Sequence, residues 1–286
     1  MTAARSTPTE SATPVGVRAA GSASAGEDRR EYRVEALAKG LRVLSLFTEQ
    51  RPTWRISDMA TETGLPLPTV YRLVMTMTSE SYLDRLPNGD YRPGVKVLTL
   101  GTAALHSLDL VEIATPILQN LARATRETAN LAVLNGDQIL YLVRLKNADL
   151  ITANIQVGSM LPAVYSSIGK LLLSYLDEHD LHSQISEQSF TGNHGPNAQT
   201  TMSGLEKELA IIRKRGWAMQ DEELAYGLRS VAAPVRFGER VLAGANVAVQ
   251  ARDWPTDRIR EELMPPLVGA CEEISSLLTS SAGSSS

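Results

Sequence analysis

ISDMATETG (56–64), LPLPTVYRLVMTM (65–77) and YLDRLPNGDYR (82–92) read as helix, tight turn, helix and hairpin. Gly64 can take the left-handed conformation that a helix stop needs, and Pro66 and Pro68 open the second helix, where a missing amide hydrogen costs little. That order is helix-turn-helix geometry. Within the second helix Val70, Leu73, Val74 and Met77 recur at the helical period and face a core, which leaves Thr69, Tyr71, Arg72 and Thr76 pointing away from it. Such a row fits a DNA major groove. The hairpin has Asn88-Gly89 at its tip, the pair most able to take positive φ twice, with Arg85 and Arg92 on its arms. Those arginines suit phosphates, as on a wing. Short helical hairpins with a glycine turn also occur in folds that never touch DNA, and the basic hairpin directly behind this one is what favours the DNA reading.

The chain has 286 residues, of which 43% are hydrophobic, enough for one large core or two ordinary ones; a net charge of −4 excludes a generally basic nucleic-acid coat. Residues 32–95 hold eight Lys/Arg against seven Asp/Glu, whereas from 97 on fifteen basic residues face twenty-one acidic ones. The second part is therefore a poor DNA surface. A single Cys271 excludes an internal disulfide framework and a zinc ribbon. No apolar run approaches a membrane span and no signal peptide precedes Glu31, so a cytoplasmic protein with no membrane association is expected.

Five segments follow: a disordered tail (1–31), a winged helix-turn-helix domain (32–94), a linker and dimerisation helix (95–108), a second domain (109–279) and a frayed tail (280–286). In the first domain Leu37, Leu41, Leu44 and Phe47 recur on a support helix from about Val34 to Glu49. On the linker, Val97, Leu98, Gly101, Ala104 and Leu105 form an apolar stripe with little charge, suited to a dimer seam or to an ordinary core. The second domain reads as a helix, a hairpin turned at Asn135-Gly136 and a third strand over Ile151–Val157. A helix from Ser167 to Tyr175 follows, whose N-terminus suits an anion, then a helix stopped at Gly216, three more strands and a C-terminal helix. This is an α+β plan, an antiparallel sheet covered by helices.

Catalytic constellations are missing. The four histidines include one pair at helix spacing, His179 and His182, without a carboxylate framework, so no metal and no cofactor is expected. Cys271 lies on the apolar side of its helix and reads as buried and inert. The run Asp221-Glu222-Glu223 reads as solvated or capping charge rather than as an acid/base pair.

With these parts in hand the chain resembles the IclR family of bacterial transcriptional regulators over roughly 34–278. The resemblance rests on TVYRL (69–73), GSMLPAVYSSIGK (158–170) and RGWAMQDEELAYGLRSVAAPV (215–235). The entrance EYRVEALAKGLRVLSLF (31–47) and linker YRPGVKVLTLG (91–101) look like the subgroup of protocatechuate and 4-hydroxybenzoate regulators. The resemblance implies a GAF/profilin-like effector domain and a homodimer or dimer of dimers on a pseudo-palindromic operator in double-stranded DNA. It also implies a small aromatic acid as effector. Carried over residue by residue, it points to Ser166, Ser167, Ile168, Gln220, Ser230, Asn246 and Ala248 as effector-binding, with Arg144, Arg229 and Arg236 as candidate charge partners. Two departures stand out: Gln220 and Ser230 replace an acidic residue and a cysteine of some members, and Pro68 stands where serine is commoner. The alternative is a small-molecule enzyme or sensor whose helix-turn-helix binds only protein. An architectural DNA binder would need far more positive charge.

Overall fold

The computed structural model describes residues 33–48, 51–106, 109–146 and 155–283; the N-terminal tail, residues 107–108 of the linker and residues 151–154 of the expected third strand lie outside these. Contacts divide the chain into two compact units, one up to Val97 and one from Leu98.

In the first unit α1 (Glu35–Leu44), α2 (Ile56–Thr63) and α3 (Leu67–Ser79) precede β1 (Leu83–Arg85) and β2 (Tyr91–Pro93), which pair antiparallel. Gly64 ends α2 at φ 67°, in the left-handed region, and Pro66 and Pro68 flank the first residue of α3. Val43, Trp54, Met59, Val70, Val74, Leu83 and Tyr91 are buried together as its core. Trp54 exchanges backbone hydrogen bonds with Tyr91, and its indole N–H donates to the Leu46 carbonyl at 3.0 Å, which ties the α1–α2 connection to the wing.

Two local expectations are corrected. Leu37 and Leu41 are 62% and 54% exposed; α1 turns Val43 inward and meets α3 closely at Gly40, where an added Cβ would lie 3.7 Å from Leu73. Val34, Leu37 and Leu41 thus form an outward apolar stripe on α1. At the wing tip only Gly89 takes positive φ, at 86°. The strands are joined by residues 86–90, closed by the Leu86 N–H to the Asp90 carbonyl at 2.8 Å, and the Asn88 side chain both accepts from the Asp90 N–H and donates to its carboxylate. A side-chain turn replaces the second left-handed residue.

The second unit holds most of α4 (Val95–His106), whose Val95, Leu98 and Leu100 are exposed; of the expected stripe, the Ala104 and Leu105 side chains lie outside the described residues. It continues through α5 (Asp109–Thr125), β3 (Thr128–Asn135), β4 (Gln138–Leu145), β5 (Met160–Pro162), α6 (Ser167–Leu173), α7 (Glu178–Gln184) and α8 (Met202–Arg215). Then come β6 (Ala218–Asp221), β7 (Leu228–Phe237) and β8 (Arg240–Gln250). A short turn, Thr256–Arg258, and a π-helical segment, Ile259–Leu263, lead into α9 (Met264–Gly283).

The strands form one antiparallel sheet in the order β5-β4-β3-β8-β7-β6. Because side chains alternate across a strand, Leu131, Val231 and Val247 face α5 and α9, while Ala132 and Ala232 face α6 and α8. The architecture is α+β. The third strand is Met160–Pro162, with Ile155–Gln156 irregular, because it is the later segment that pairs with Gln138–Leu140. The β3–β4 hairpin turns on Gly136-Asp137, with Gly136 at φ 63°. Cys271 is buried between α9 and the sheet, which pushes its thiol up to about 12. Among the described residues no helix is long and apolar enough to cross a membrane.

Candidate functional site

On α3, Tyr71, Arg72 and Thr76 are exposed and Thr69 is half-buried. The Thr76 hydroxyl donates back to the Arg72 carbonyl at 2.9 Å, so this threonine offers its methyl and an oxygen rather than a free donor. Arg85 is exposed on β1, whereas Arg92 on β2 reaches the directly opposed Asp84 at 3.5 Å. Nearby, Arg55 is paired with Asp90 at 3.0 Å and Arg51 with Asp58 at 3.1 Å, Arg51 also lying over the Trp54 ring. On α3 and the wing, Arg72 and Arg85 are exposed with no carboxylate partner among the described residues, whereas Arg92 and Arg55, also exposed, are paired with carboxylates.

The pocket of the second unit is built from register. Asn130 on β3 lies opposite Arg144 on β4 and Asn246 on β8, and Ser230 on β7 lies opposite Ala248 on β8 and Gln220 on β6. These residues share the sheet face under α6. A cavity of about 20 Å³ opens there, with Tyr141, Arg144, Ser166, Leu224, Ser230 and Asn246 among its walls. This is room for about one water. A much larger groove of about 610 Å³ lies on the opposite face between α5 and α9, lined by Ile113, Pro116, Asn120, Glu273 and Leu277; it is wide open and without a cation, and the small polar cavity is the better recognition site.

A hydrogen-bond relay crosses that cavity. Arg144 Nη1 donates to Asn130 Oδ1 at 3.1 Å, Asn130 Nδ2 to Asn246 Oδ1 at 2.7 Å, and Asn246 Nδ2 to Ser167 Oγ at 3.2 Å. Ser167 Oγ in turn lies 2.7 Å from Ser230 Oγ. Ser166 caps α6, its hydroxyl accepting from the Gly169 N–H at 3.0 Å, and Ile168 packs beneath α6 against β8 at Gly244. Gln220 is buried; its Oε1 accepts from the Glu223 N–H at 3.0 Å, and its Nε2 has no hydrogen-bond partner among the described residues.

Of the candidate arginines only Arg144 reaches the cavity. Arg229 is engaged by Asp221 and the carbonyls of Ala251 and Trp254, and Arg236 by the Tyr175 hydroxyl, both outside the walls. Asn130, Tyr141, Ile155, Leu224 and Leu228 are wall residues that sequence reasoning missed; the polar Asn130 within apolar ANLAVL (129–134) was the available signal. Sequence reasoning also passed over a buried ion cluster. Lys170, fully buried on α6, places Nζ 2.6 Å from Glu223 and 2.5 Å from Glu208 of α8. Burial pushes the Glu223 carboxyl up while Lys170 pulls it down. Glu223 is thus a buried counter-ion, not the solvated or capping charge expected of its run. Among the described residues no group of side chains could hold a metal ion.

A winged helix-turn-helix joined to a sheet domain with an enclosed polar pocket is the plan of a DNA-binding transcriptional regulator with an effector-binding domain. Two family models agree: the IclR helix-turn-helix domain matches residues 36–87, and the bacterial transcriptional regulator IclR C-terminal domain matches residues 102–276, so the chain belongs to the IclR family. It is 31% identical over 246 residues to the Pca regulon regulatory protein of Pseudomonas putida, covering 84% of this chain and 82% of the relative. To the acetate operon repressor of Salmonella typhimurium it is 32% identical over 248 residues, covering 85% and 89%. The crystal structure of an IclR family transcriptional regulator from Brucella abortus superposes with a TM-score of 0.75 at 27% identity, covering 90% of this chain and 97% of that one.

Proposed function

We propose that this regulator binds a pseudo-palindromic operator as a homodimer or dimer of dimers, and that a small aromatic carboxylate such as protocatechuate or 4-hydroxybenzoate alters that binding to control aromatic-acid catabolism genes. Relatives of similar identity are named for different operons, so the pocket supplies the discriminating observation: apolar walls from Tyr141, Ile155, Leu224 and Leu228 around one guanidinium and a line of amides and hydroxyls. A flat ring with a charged end and a polar substituent matches that set. Ser166, Ser230, Asn246 and Ala248 act as walls, Ser167 and Gln220 as polar partners, and Ile168 seats α6. The unsatisfied Gln220 Nε2 calls for an acceptor. Isothermal calorimetry with the two acids tests the class; absence of heat from both removes it. A coupling of about 1–3 kcal/mol between acid and operator is the expected size.

For DNA, Thr69, Tyr71, Arg72 and Thr76 are the proposed contacts of α3, and Arg85 and Arg92 those of the wing. Arg72→Ala is expected to cost about 1–3 kcal/mol at the operator, through loss of a bidentate base contact, and little on scrambled DNA. Arg85→Ala should weaken both alike and flatten the salt dependence. Gel-shift titration of both sequences decides it, and an Arg72→Ala protein with wild-type operator affinity would refute the assignment of α3.

Assembly is motivated by Leu98, 70% exposed on α4 beside exposed Val95 and Leu100, and by the stripe on α1. Leu98→Asp is expected to release monomers with poor operator affinity, because half-sites about 34 Å apart need two linked recognition helices. Light scattering reads the mass. A wild type that is already monomeric at working concentration ends the proposal.

A further inference from the structure

We propose that Lys170 is a positioning residue of the effector site, one that latches the β6–β7 turn over the cavity through Glu223 and sets how readily the effector enters; this rests on the reading of the cavity as the effector site. With room for about one water, the cavity takes a ring only when a wall moves. Among the described walls Ile155 and Leu224 lie outside the strands and the α6 cap, and Leu224 is the one set in place by a buried ion pair. It sits in the turn 222–227, one residue from Glu223, whose two carboxylate oxygens each lie 2.6 Å from the Lys170 Nζ. That ammonium, carried by α6 and fully buried, is the peg of the latch.

The turn is closed at a local cost. Glu222 holds φ 55°, a left-handed value that glycine adopts more easily than glutamate, and Gln220, whose Oε1 is taken by the Glu223 N–H, is buried with no partner for Nε2 among the described residues. Three links offset that cost: the Gly227 N–H to the Glu222 carboxylate at 2.8 Å, the Gly195 N–H to the Glu223 carbonyl at 2.7 Å, and the Lys170–Glu223 pair. Of these three, the ion pair is the one that joins the turn to α6. Glu208, the second carboxylate on the same ammonium at 2.5 Å, is carried by α8 and not by the turn. Loss of the Glu223 charge therefore frees the turn while Lys170 keeps a counter-ion. The work of opening subtracts from binding, so a weaker latch strengthens binding even as it destabilises the fold.

Glu223→Gln and Glu208→Gln make a matched pair in the full chain, each removing one carboxylate charge from the same ammonium. Without ligand, hydrogen exchange at the Glu222 and Gly227 amides, bonded to the Leu228 carbonyl and the Glu222 carboxylate, is expected to be at least about tenfold faster in Glu223→Gln than in Glu208→Gln. Calorimetry with 4-hydroxybenzoate is expected to show binding at least about threefold tighter than wild type for Glu223→Gln and within about twofold of it for Glu208→Gln. Lys170→Met/Glu223→Gln, which leaves no ammonium unpaired, should tighten likewise and serves as a second unlatched protein. A merely structural role predicts the opposite sign, because a loosened scaffold does not gain affinity. Equal or weaker binding by the unlatched proteins overturns the latch while the aromatic-effector reading stands, and so does equal exchange in the matched pair or equal tightening in Glu208→Gln. If neither wild type nor any variant gives heat with 4-hydroxybenzoate, the effector reading falls and the latch with it.

Discussion

Lys170→Met is expected to lower the free energy of unfolding by about 3–5 kcal/mol, the cost of leaving a buried charge without its partner. Lys170 has no exposed surface, and Glu223 and Glu208 both end on its ammonium at 2.6 and 2.5 Å. Methionine keeps the volume and removes the charge, so Glu223 would stay buried with only the Asp221 N–H, at 3.3 Å, on its carboxylate. Lys170→Met/Glu223→Gln should recover part of the loss, because the amide does not need a counter-charge. Urea denaturation of the two proteins measures it, and a single variant within about 1 kcal/mol of wild type would show that the cluster contributes little. The pH trend has a defined sign. Burial holds the Glu223 carboxyl above its ordinary value of 4.5, so the folded chain binds the extra proton; that contribution is full below 4.5 and is lost as pH rises through the folded value. Without Lys170 the folded value rises further, so the decline should extend to higher pH.

Gly169→Ala is the second large effect. A Cβ there would lie 2.2 Å from the Ala163 oxygen and 2.3 Å from its Cα, and both neighbours are backbone in the turn that leads into α6. Side chains can swing aside, but this turn can move only by displacing α6 itself. We expect a loss of about 3 kcal/mol, at the upper end for overpacking, together with loss of effector response because Ser166 and Ser167 sit on the displaced segment. Gly269→Ala, on α9, meets nothing within 4 Å and is the matched control. Chemical denaturation and a ligand titration of both variants read the outcome; indistinguishable proteins would mean that α6 shifts without penalty.

What the sequence disclosed follows the range of its signals. Gly64, the paired prolines and the helical period of Val70, Leu73, Val74 and Met77 act over a few residues, and α2, the turn and α3 stand as read. On α1 the same period was visible, but periodicity shows that Leu37 and Leu41 share a side, not what covers it, and among the described residues both stay more than half exposed. At the wing, composition identified the turn but not its closure by the Asn88 side chain. The pocket depended on the family resemblance for Ser166, Ser230 and Asn246, because strand neighbours such as Asn130 and Asn246, 116 positions apart, share no local pattern. The pairing of Lys170 with Glu223, 53 positions apart, was invisible for the same reason, and Glu223 was read with its run as solvated or capping charge.

The smallness of the cavity carries a thermodynamic consequence for any effector. With about 20 Å³ available, the described conformation is too small for an aromatic ring, so the effector proposed above would have to bind a wider form that the free protein visits only part of the time. Observed affinity is then the affinity of that form multiplied by its population, and each tenfold rarity weakens the apparent dissociation constant tenfold. On that proposal the threshold for the effector is set as much by how tightly the pocket holds itself shut as by any contact the ligand makes.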